Sequence, residues 1–425
     1  MQAKNSIKQA RIIGIFIGII VALVGVVLIL SPFDMLKKTQ QRKTDEPLWF
    51  VRLDQNSIST YGAKNLESNL KTLLTDAKEN NSKLSIMHIG DSHIQADFFT
   101  GHTRKLLASW LNDKKFTRGF TFPYQLYGSN PPDDLKAEWK GDWQRVTDSA
   151  NIGISGVAVT TSSPNGEISI SVTKVDENEQ LFDNAKIFFS SNSQNIIPHP
   201  TEKHKLIHRD AWSVTYKLHQ PCSSITVAKP NSTNDTLTIH GINLVNSQAK
   251  LNYHAAGLNG ASVKTFLKMG LFTQHLTSIN PNIVIISLGT NDAYTKNFNT
   301  KQFRKDYEVL ISQIDKALPD AAIILSTAGD HLFEKEHHNP NIEKANHQIV
   351  SAAKKYDCAV WDFYSVMGGK GSIELWAEDG LCAPDKLHLN RKGYKLQASL
   401  FFDALMGLTN DNRNVLTTKL EHTNE

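Results

Sequence analysis

Short apolar runs alternate with helical stretches in the body of this chain, and a long middle span breaks the alternation. Residues 83–89 (KLSIMHI) end at Gly90 and predict a buried strand, and residues 101–111 (GHTRKLLASWL) have helical spacing. The pattern resumes with a strand over 282–288 (NIVIISL), a helix over 301–318 and a strand over 321–326. A helix over 342–355, a strand over 358–363 and a helix over 392–406 complete it. Strands separated by helices pair in parallel, so the reading is an α/β fold whose parallel sheet is covered on both faces.

Between about 131 and 250 helical periodicity is lost. Alternating runs take over, as in 167–172 (EISISV), 185–189 (AKIFF), 224–227 (SITV) and 236–239 (TLTI), separated by loops rich in Pro, Asn, Ser and Asp. That is the pattern of an antiparallel β sandwich. The domain reading is therefore a first α/β part over 51–130, an inserted all-β sandwich domain over 131–250, a second α/β part over 251–410 and a polar tail over 411–425. A length of 425 residues accommodates this division.

The amino terminus is of another kind. Residues 12–30 (IIGIFIGIIVALVGVVLIL) carry no charge. At 1.5 Å per residue they reach roughly 28 Å, close to the thickness of a bilayer core. The run ends in Leu30-Ser31-Pro32-Phe33, a poor cleavage site. The expectation is a cytoplasmic stub and single transmembrane anchor over 1–33, then a polar stalk over 34–50. Lys4, Lys8 and Arg11 precede the span and Lys37, Lys38, Arg42 and Lys43 follow it, so charge alone leaves its orientation open.

Lys plus Arg number 46 and Asp plus Glu 42, a net charge of +4 with no basic cluster. This argues against nucleic acid as a partner. Cys222, Cys358 and Cys382 form neither a disulfide framework nor a metal-ligand spacing; Cys358 and Cys382 flank one segment and could pair, but buried free thiols are the preferred reading.

Four polar blocks follow the predicted strands, where open α/β sheets bind ligands. Gly90-Asp91-Ser92-His93 sets a serine on a strand-to-helix turn, with its own N–H beside its hydroxyl. Gly289-Thr290-Asn291-Asp292 offers an amide donor for a developing oxyanion. In Asp385-Lys386-Leu387-His388 the aspartate can fix one ring nitrogen and leave the other as a base toward Ser92. Ala256-Gly257-Leu258-Asn259-Gly260-Ala261 allows close backbone approach and a free N–H. Each block taken singly is also what a turn or a helix cap looks like. Together they supply a nucleophile, a base, an acid and oxyanion donors for acyl transfer, with no cofactor or metal required.

The blocks GDSH, GxNGA, GTND and DxxH, in this order, resemble the SGNH hydrolases of the GDSL esterase superfamily. The resemblance covers about 83–130 and 251–408. It implies a flavodoxin-like three-layer α/β/α fold, catalytic Ser92, Asp385 and His388, and an oxyanion hole of Ser92, Gly260 and Asn291. Gly257 competes with Gly260, which is preferred because it precedes the small Ala261-Ser262 pair. The longer phrase over 88–97 (HIGDSHIQAD), the later Arg118-Gly119-Phe120 and the β insertion, opening at 154–161 (ISGVAVTT), are similar to peptidoglycan O-acetylesterases with an inserted carbohydrate-binding-module-like domain.

That likeness implies O-acetylated peptidoglycan, or a related acylated glycan, as substrate. It also implies a catalytic body in the periplasm of a bacterium, anchored in the inner membrane. Trp139, Trp143 and Trp212 are candidates for stacking on sugar rings, or for core packing. His93 and Asp97 either shape the pocket or cap a helix.

Three other readings remain. Asp91-x-His93 with Asp330-His331 is a fragment of a metal-dependent phosphoesterase site, without a second ligand set. An acyltransferase, or an esterase or lipase acting on another substrate, would use the same residues. A non-catalytic glycan-binding envelope protein would use the β insertion alone.

Overall fold

The computed structural model describes residues 48–409, apart from 63–64, 147, 174–179 and 232–234. The apolar run 12–30, most of the stalk and the tail 411–425 lie outside the described residues. Among the described residues no helix is long and apolar enough to cross a membrane. The chain divides into two units, Met1–Val51 and Arg52–Glu425. Within the first, the Val51 N–H donates to the Leu48 carbonyl (2.8 Å).

In the second unit, six strands form the sheet that the alternation calls for. They are β1 (Ile58–Thr60), β2 (Leu84–Gly90), β3 (Leu251–Gly257), β4 (Ile283–Ser287), β5 (Ala322–Ser326) and β6 (Ala359–Trp361). Their order is β1-β6-β5-β4-β2-β3. All pairs are parallel except β1 with β6. The central strands β4 and β5 are buried almost throughout, which explains their continuous Ile/Val/Leu runs.

The helix Thr300–Ala317 begins at Asn299, whose side chain accepts the Gln302 N–H. It buries Phe303, Tyr307, Leu310, Ile311 and Ile314, the one-face spacing of an amphipathic helix. Each such side chain is worth about 1.5–3 kcal/mol of burial at most. In the α/β part the expected helices and strands lie within three residues of the observed ones, and 342–355 coincides with Ile342–Lys355. The short strand β1 and the strand β3 were not anticipated. Three residues are too few for a period to register, and Leu251–Gly257 mixes Asn, His and Tyr with its apolar positions.

Antiparallel strands fill the middle span in a seven-stranded and a four-stranded sheet. Ile168, Ile170, Ile225 and Val227 from the smaller sheet and Phe182, Ile187, Val214 and Ile239 from the larger bury one common core. The larger sheet recruits Gly119–Thr121, upstream of the expected start at 131, by pairing with Leu237–Val245. Phe120 and Phe188 from this sheet enter the hydrophobic core of the α/β part, against Phe272 and Leu276.

Behind the first helices lies a buried ion network. Asp97 accepts from Arg104 (3.0 and 3.1 Å) and pairs with Arg118 (2.9 Å), which also pairs with Asp134. Arg104 Nε donates to the Tyr253 carbonyl on β3 (3.0 Å). Asp97 adopts a left-handed backbone (φ 59°) as the cap position of the helix Phe98–Trp110, and its side chain serves the arginines rather than the cap. Burial alone would raise its pKa, but the two guanidinium groups outweigh it and hold the carboxyl below its ordinary value. Removing one member leaves buried charge unpaired. We predict that Asp97→Ala lowers unfolding free energy by about 3–5 kcal/mol in denaturant titration. A loss below about 1 kcal/mol would contradict this.

Candidate active site

The strand order reverses at β2. β3 lies on one side of it and β4 on the other, so the loops leaving β2 and β4 part at the carboxyl edge and open a crevice. The chain enters the crevice from β2 at Gly90 and turns at once into the short helix Ser92–Gln95. Asp91 caps that helix, its Oδ1 accepting the His93 N–H (3.0 Å). Ser92 therefore occupies the first helical position, and its own N–H has no protein partner among the described residues.

The last helix, Arg391–Met406, brings the second block to the same place. Asn390 caps it by accepting the Lys392 and Gly393 N–H groups. Gly393 lies so close to the preceding segment that a Cβ there would fall 2.1 Å from the Leu381 carbonyl oxygen. This anchors the loop that carries His388. Ser92 Oγ lies 2.8 Å from His388 Nε2, and His388 Nδ1 lies 2.8 Å from Asp385 Oδ2. The other oxygen of Asp385 accepts the backbone N–H groups of Leu387 (3.0 Å) and His388 (2.9 Å).

Burial by itself would raise the Asp385 pKa. Those N–H donors and the His388 ring outweigh it and hold the carboxyl below its ordinary value. Asp385 therefore stays ionised at neutral pH and keeps the proton of His388 on Nδ1, with Nε2 free to accept from Ser92. The His388 and Asp385 side chains are about one-third exposed, which leaves the chain of bonds open to a substrate.

The two remaining candidates also reach the crevice. Gly260 is the third residue of a turn closed by the Ala261 N–H on the Leu258 carbonyl (3.0 Å). Its φ of 74° is the left-handed conformation that a type II turn requires there. Its N–H has no protein partner among the described residues. Gly257, the competitor, has a different task. It ends β3 against the Ser92 helix, and a Cβ there would lie 2.1 Å from the Gln95 nitrogen.

Asn291 follows β4, and its side-chain NH₂ donates to the Ala261 carbonyl (3.0 Å) and more weakly to Asp91 Oδ2 (3.3 Å). Burial raises the Asp91 carboxyl to about 7, against the His93 N–H bond that lowers it, and burial likewise raises Asp292 to about 6. Asp292 accepts the Val263 N–H and so ties the Asn291 turn to the Gly260 loop.

Sequence reasoning left the role of His93 open and did not single out Tyr394. The His93 ring lies 5.0 Å from that of His388, and its Nδ1 bonds the Tyr394 hydroxyl (2.8 Å). Burial and the neighbouring His388 push the His93 pKa down to about 3, so it stands neutral beside the His388 ring. Gln95 belongs to the phrase 88–97, but sequence reasoning gave it no role, since nothing local says what a helical amide bonds. It is buried and bonds the Asn259 N–H with its Oε1 (2.8 Å).

The fragment of a metal site does not assemble. Asp330 accepts the Gly371 and Ile373 N–H groups, and His331 bonds Gly329 and Asn339 through its two nitrogens. Among the described residues no group of three or more His, Cys, Asp or Glu is placed to hold a metal ion. None of the three cysteines is in a disulfide. Of the three tryptophans, Trp139 and Trp212 are exposed, whereas Trp143 packs against the β core.

Residues 224–396 match the GDSL-like Lipase/Acylhydrolase family. That stretch contains Gly260, Asn291, Asp385 and His388, and begins well after the Ser92 turn. No curated protein matches the chain. A solved structure of a peptidoglycan O-acetylesterase superposes with a TM-score of 0.63 at 20% identity, covering 83% of this chain and 98% of that one. A lipase/acylhydrolase from Enterococcus faecalis covers 37% of this chain and 77% of its own, at 22% identity and a TM-score of 0.31. An acetyl xylan esterase, AlAXEase, covers 36% and 81%, at 20% identity and a TM-score of 0.31. The second α/β part of this chain is thus similar to the GDSL-like Lipase/Acylhydrolase family, and its fold is similar to that of the first relative.

Proposed function

We propose that the chain is a serine esterase that removes O-acetyl groups from cell-wall glycan, with O-acetylated N-acetylmuramic acid of peptidoglycan as the first candidate substrate. The observation that carries the reading is the unbroken chain from Ser92 Oγ through His388 to Asp385, with both bonds at 2.8 Å. The glycan substrate is drawn from the likeness to a peptidoglycan O-acetylesterase along most of both chains.

In this reading His388 Nε2 takes the Ser92 proton as Oγ attacks the acetyl carbonyl. The Ser92 and Gly260 N–H groups and the Asn291 amide receive the oxyanion. The tetrahedral intermediate collapses, the sugar oxygen leaves with the proton held on His388, and acetyl remains on Ser92. Water then gives a proton to His388 and attacks the acyl-enzyme, releasing acetate and restoring the serine. Asp385 holds the imidazole in one tautomer and stabilises the imidazolium that forms twice per cycle.

The wider arrangement belongs to the same proposal. Residues 12–30 anchor the chain in the inner membrane, 1–11 stay cytoplasmic and the body lies in the periplasm, where acetylated wall sugar occurs. The segment 131–250 is an inserted β module, and exposed Trp139 and Trp212 are its candidates for contact with glycan.

The test is acetate release from O-acetylated peptidoglycan by the full chain and by Ser92→Ala. The wild type releases acetate and the variant loses essentially all turnover while keeping its unfolding midpoint. Release by Ser92→Ala near the wild-type rate would reject the serine mechanism. Asp385→Asn is expected to lower kcat on a small acetyl ester by roughly 10³–10⁴-fold, with KM little changed. A loss under tenfold would remove Asp385 from the triad.

A further inference from the structure

We infer that Gln95 is the positioning residue for the Gly260 oxyanion donor, so that the helix bearing the nucleophile also sets the far side of the oxyanion hole. The inference rests on the esterase reading and adds a residue to it.

Gln95 sits three positions after Ser92 and is 2% exposed. A buried amide costs stability unless its hydrogen bonds are made. Here both ends are engaged. Oε1 accepts the Asn259 N–H (2.8 Å), and Nε2 donates to Ser129 Oγ (2.9 Å) and to the Asn130 carbonyl (2.9 Å). Asn259 is held a second time, its own amide donating to Asn130 Oδ1 (2.7 Å). The peptide that follows carries the Gly260 N–H.

The ends of that turn are held by the Leu258 N–H on the Gly90 carbonyl (3.1 Å) and by the Asn291 amide on the Ala261 carbonyl (3.0 Å), whereas the Gly260 peptide between them is more open. A Cβ built on Gly260 would meet no atom within 4 Å, and the turn over 258–261 is closed by the one Ala261–Leu258 bond. A glycine with left-handed φ and open surroundings would wander if left alone. The aim of its N–H is therefore set through Asn259, and Asn259 is set by Gln95. The close packing of Gly257 on the Gln95 nitrogen fixes the base of the same loop. Serine and donor thus move as one body. This is what an oxyanion hole needs, since a donor helps only if it is already in place when charge develops.

The experiment compares Gln95→Met, Asn291→Ala and the double variant of the full chain on a small acetyl ester. Rates are expressed per active serine after titration with a small organophosphonate ester. Gln95→Met is expected to lower kcat per titrated serine by ~10–100-fold, with KM within about threefold of wild type. The double variant is slower than either single variant, and the two effects do not simply multiply, because the Asn291 amide also bonds the Ala261 carbonyl next to Gly260. A Gln95 that only held the fold would change the number of titratable serines and leave turnover per serine within about twofold of wild type, which overturns the inference.

A loss confined to KM also overturns it. Ser129→Ala removes the hydroxyl that Gln95 Nε2 bonds (2.9 Å), leaving Gln95 in place while loosening its far end. If Gln95→Met does not fold, this variant decides. A kcat loss of about 3–10-fold per active serine supports the inference, on the scale of a weakened oxyanion donor, and an unchanged kcat rejects it. Activity in Ser92→Ala would instead bring down the esterase reading itself, an outcome separate from any of these.

Discussion

The site depends on the parallel pairing of β2 on both flanks. Its register with β3 sets Gly90 beside Gly257, and its register with β4 sets Gly90 beside Ser287. Three chain segments therefore leave the sheet at one level. One turns into the Ser92 helix, one into the Gly260 loop and one into the Asn291 turn. A one-residue slip in either pairing would move these groups by about 3.3 Å and reverse the facing of every side chain on the slipped strand. The buried His88 helps to hold the register. It bonds Tyr253 on β3 (2.8 Å) and Ser287 on β4 (2.7 Å), and burial keeps it neutral, with its pKa down at about 3.

The α/β alternation and the four blocks could be read from the sequence because both are local signals. Apolar runs such as 282–288 report their own burial, and a block such as 90–93 reports the turn it occupies. Gly260, preferred over Gly257 for the small residues that follow it, has an N–H without a protein partner among the described residues. The partners that hold the blocks together could not be read in this way. Gln95 meets Asn259 across 164 positions, and Arg104 meets Tyr253 across 149. No period or spacing links residues that far apart. The recruitment of Gly119–Thr121 into the larger antiparallel sheet was hidden for the same reason.

The chemistry follows from differences in environment among similar groups. Asp385 is ionised because several donors converge on it, while Asp91, more deeply buried, is pushed up to about 7. His388 is partly open and bonded to a carboxylate, while His93 beside it is enclosed and neutral. In the proposed mechanism His388 carries the proton, and His93 packs beside its ring. Separation of roles by burial and hydrogen bonding is what general-base catalysis by a serine–histidine pair requires.

The most direct test of the account is the site at which a small organophosphonate ester labels the protein, mapped by peptide mass spectrometry. The account predicts one label per chain, on Ser92, with labelling at neutral pH lost in His388→Ala. A label on another residue, or labelling of Ser92 at the same rate without His388, would contradict the claim that His388 activates this serine.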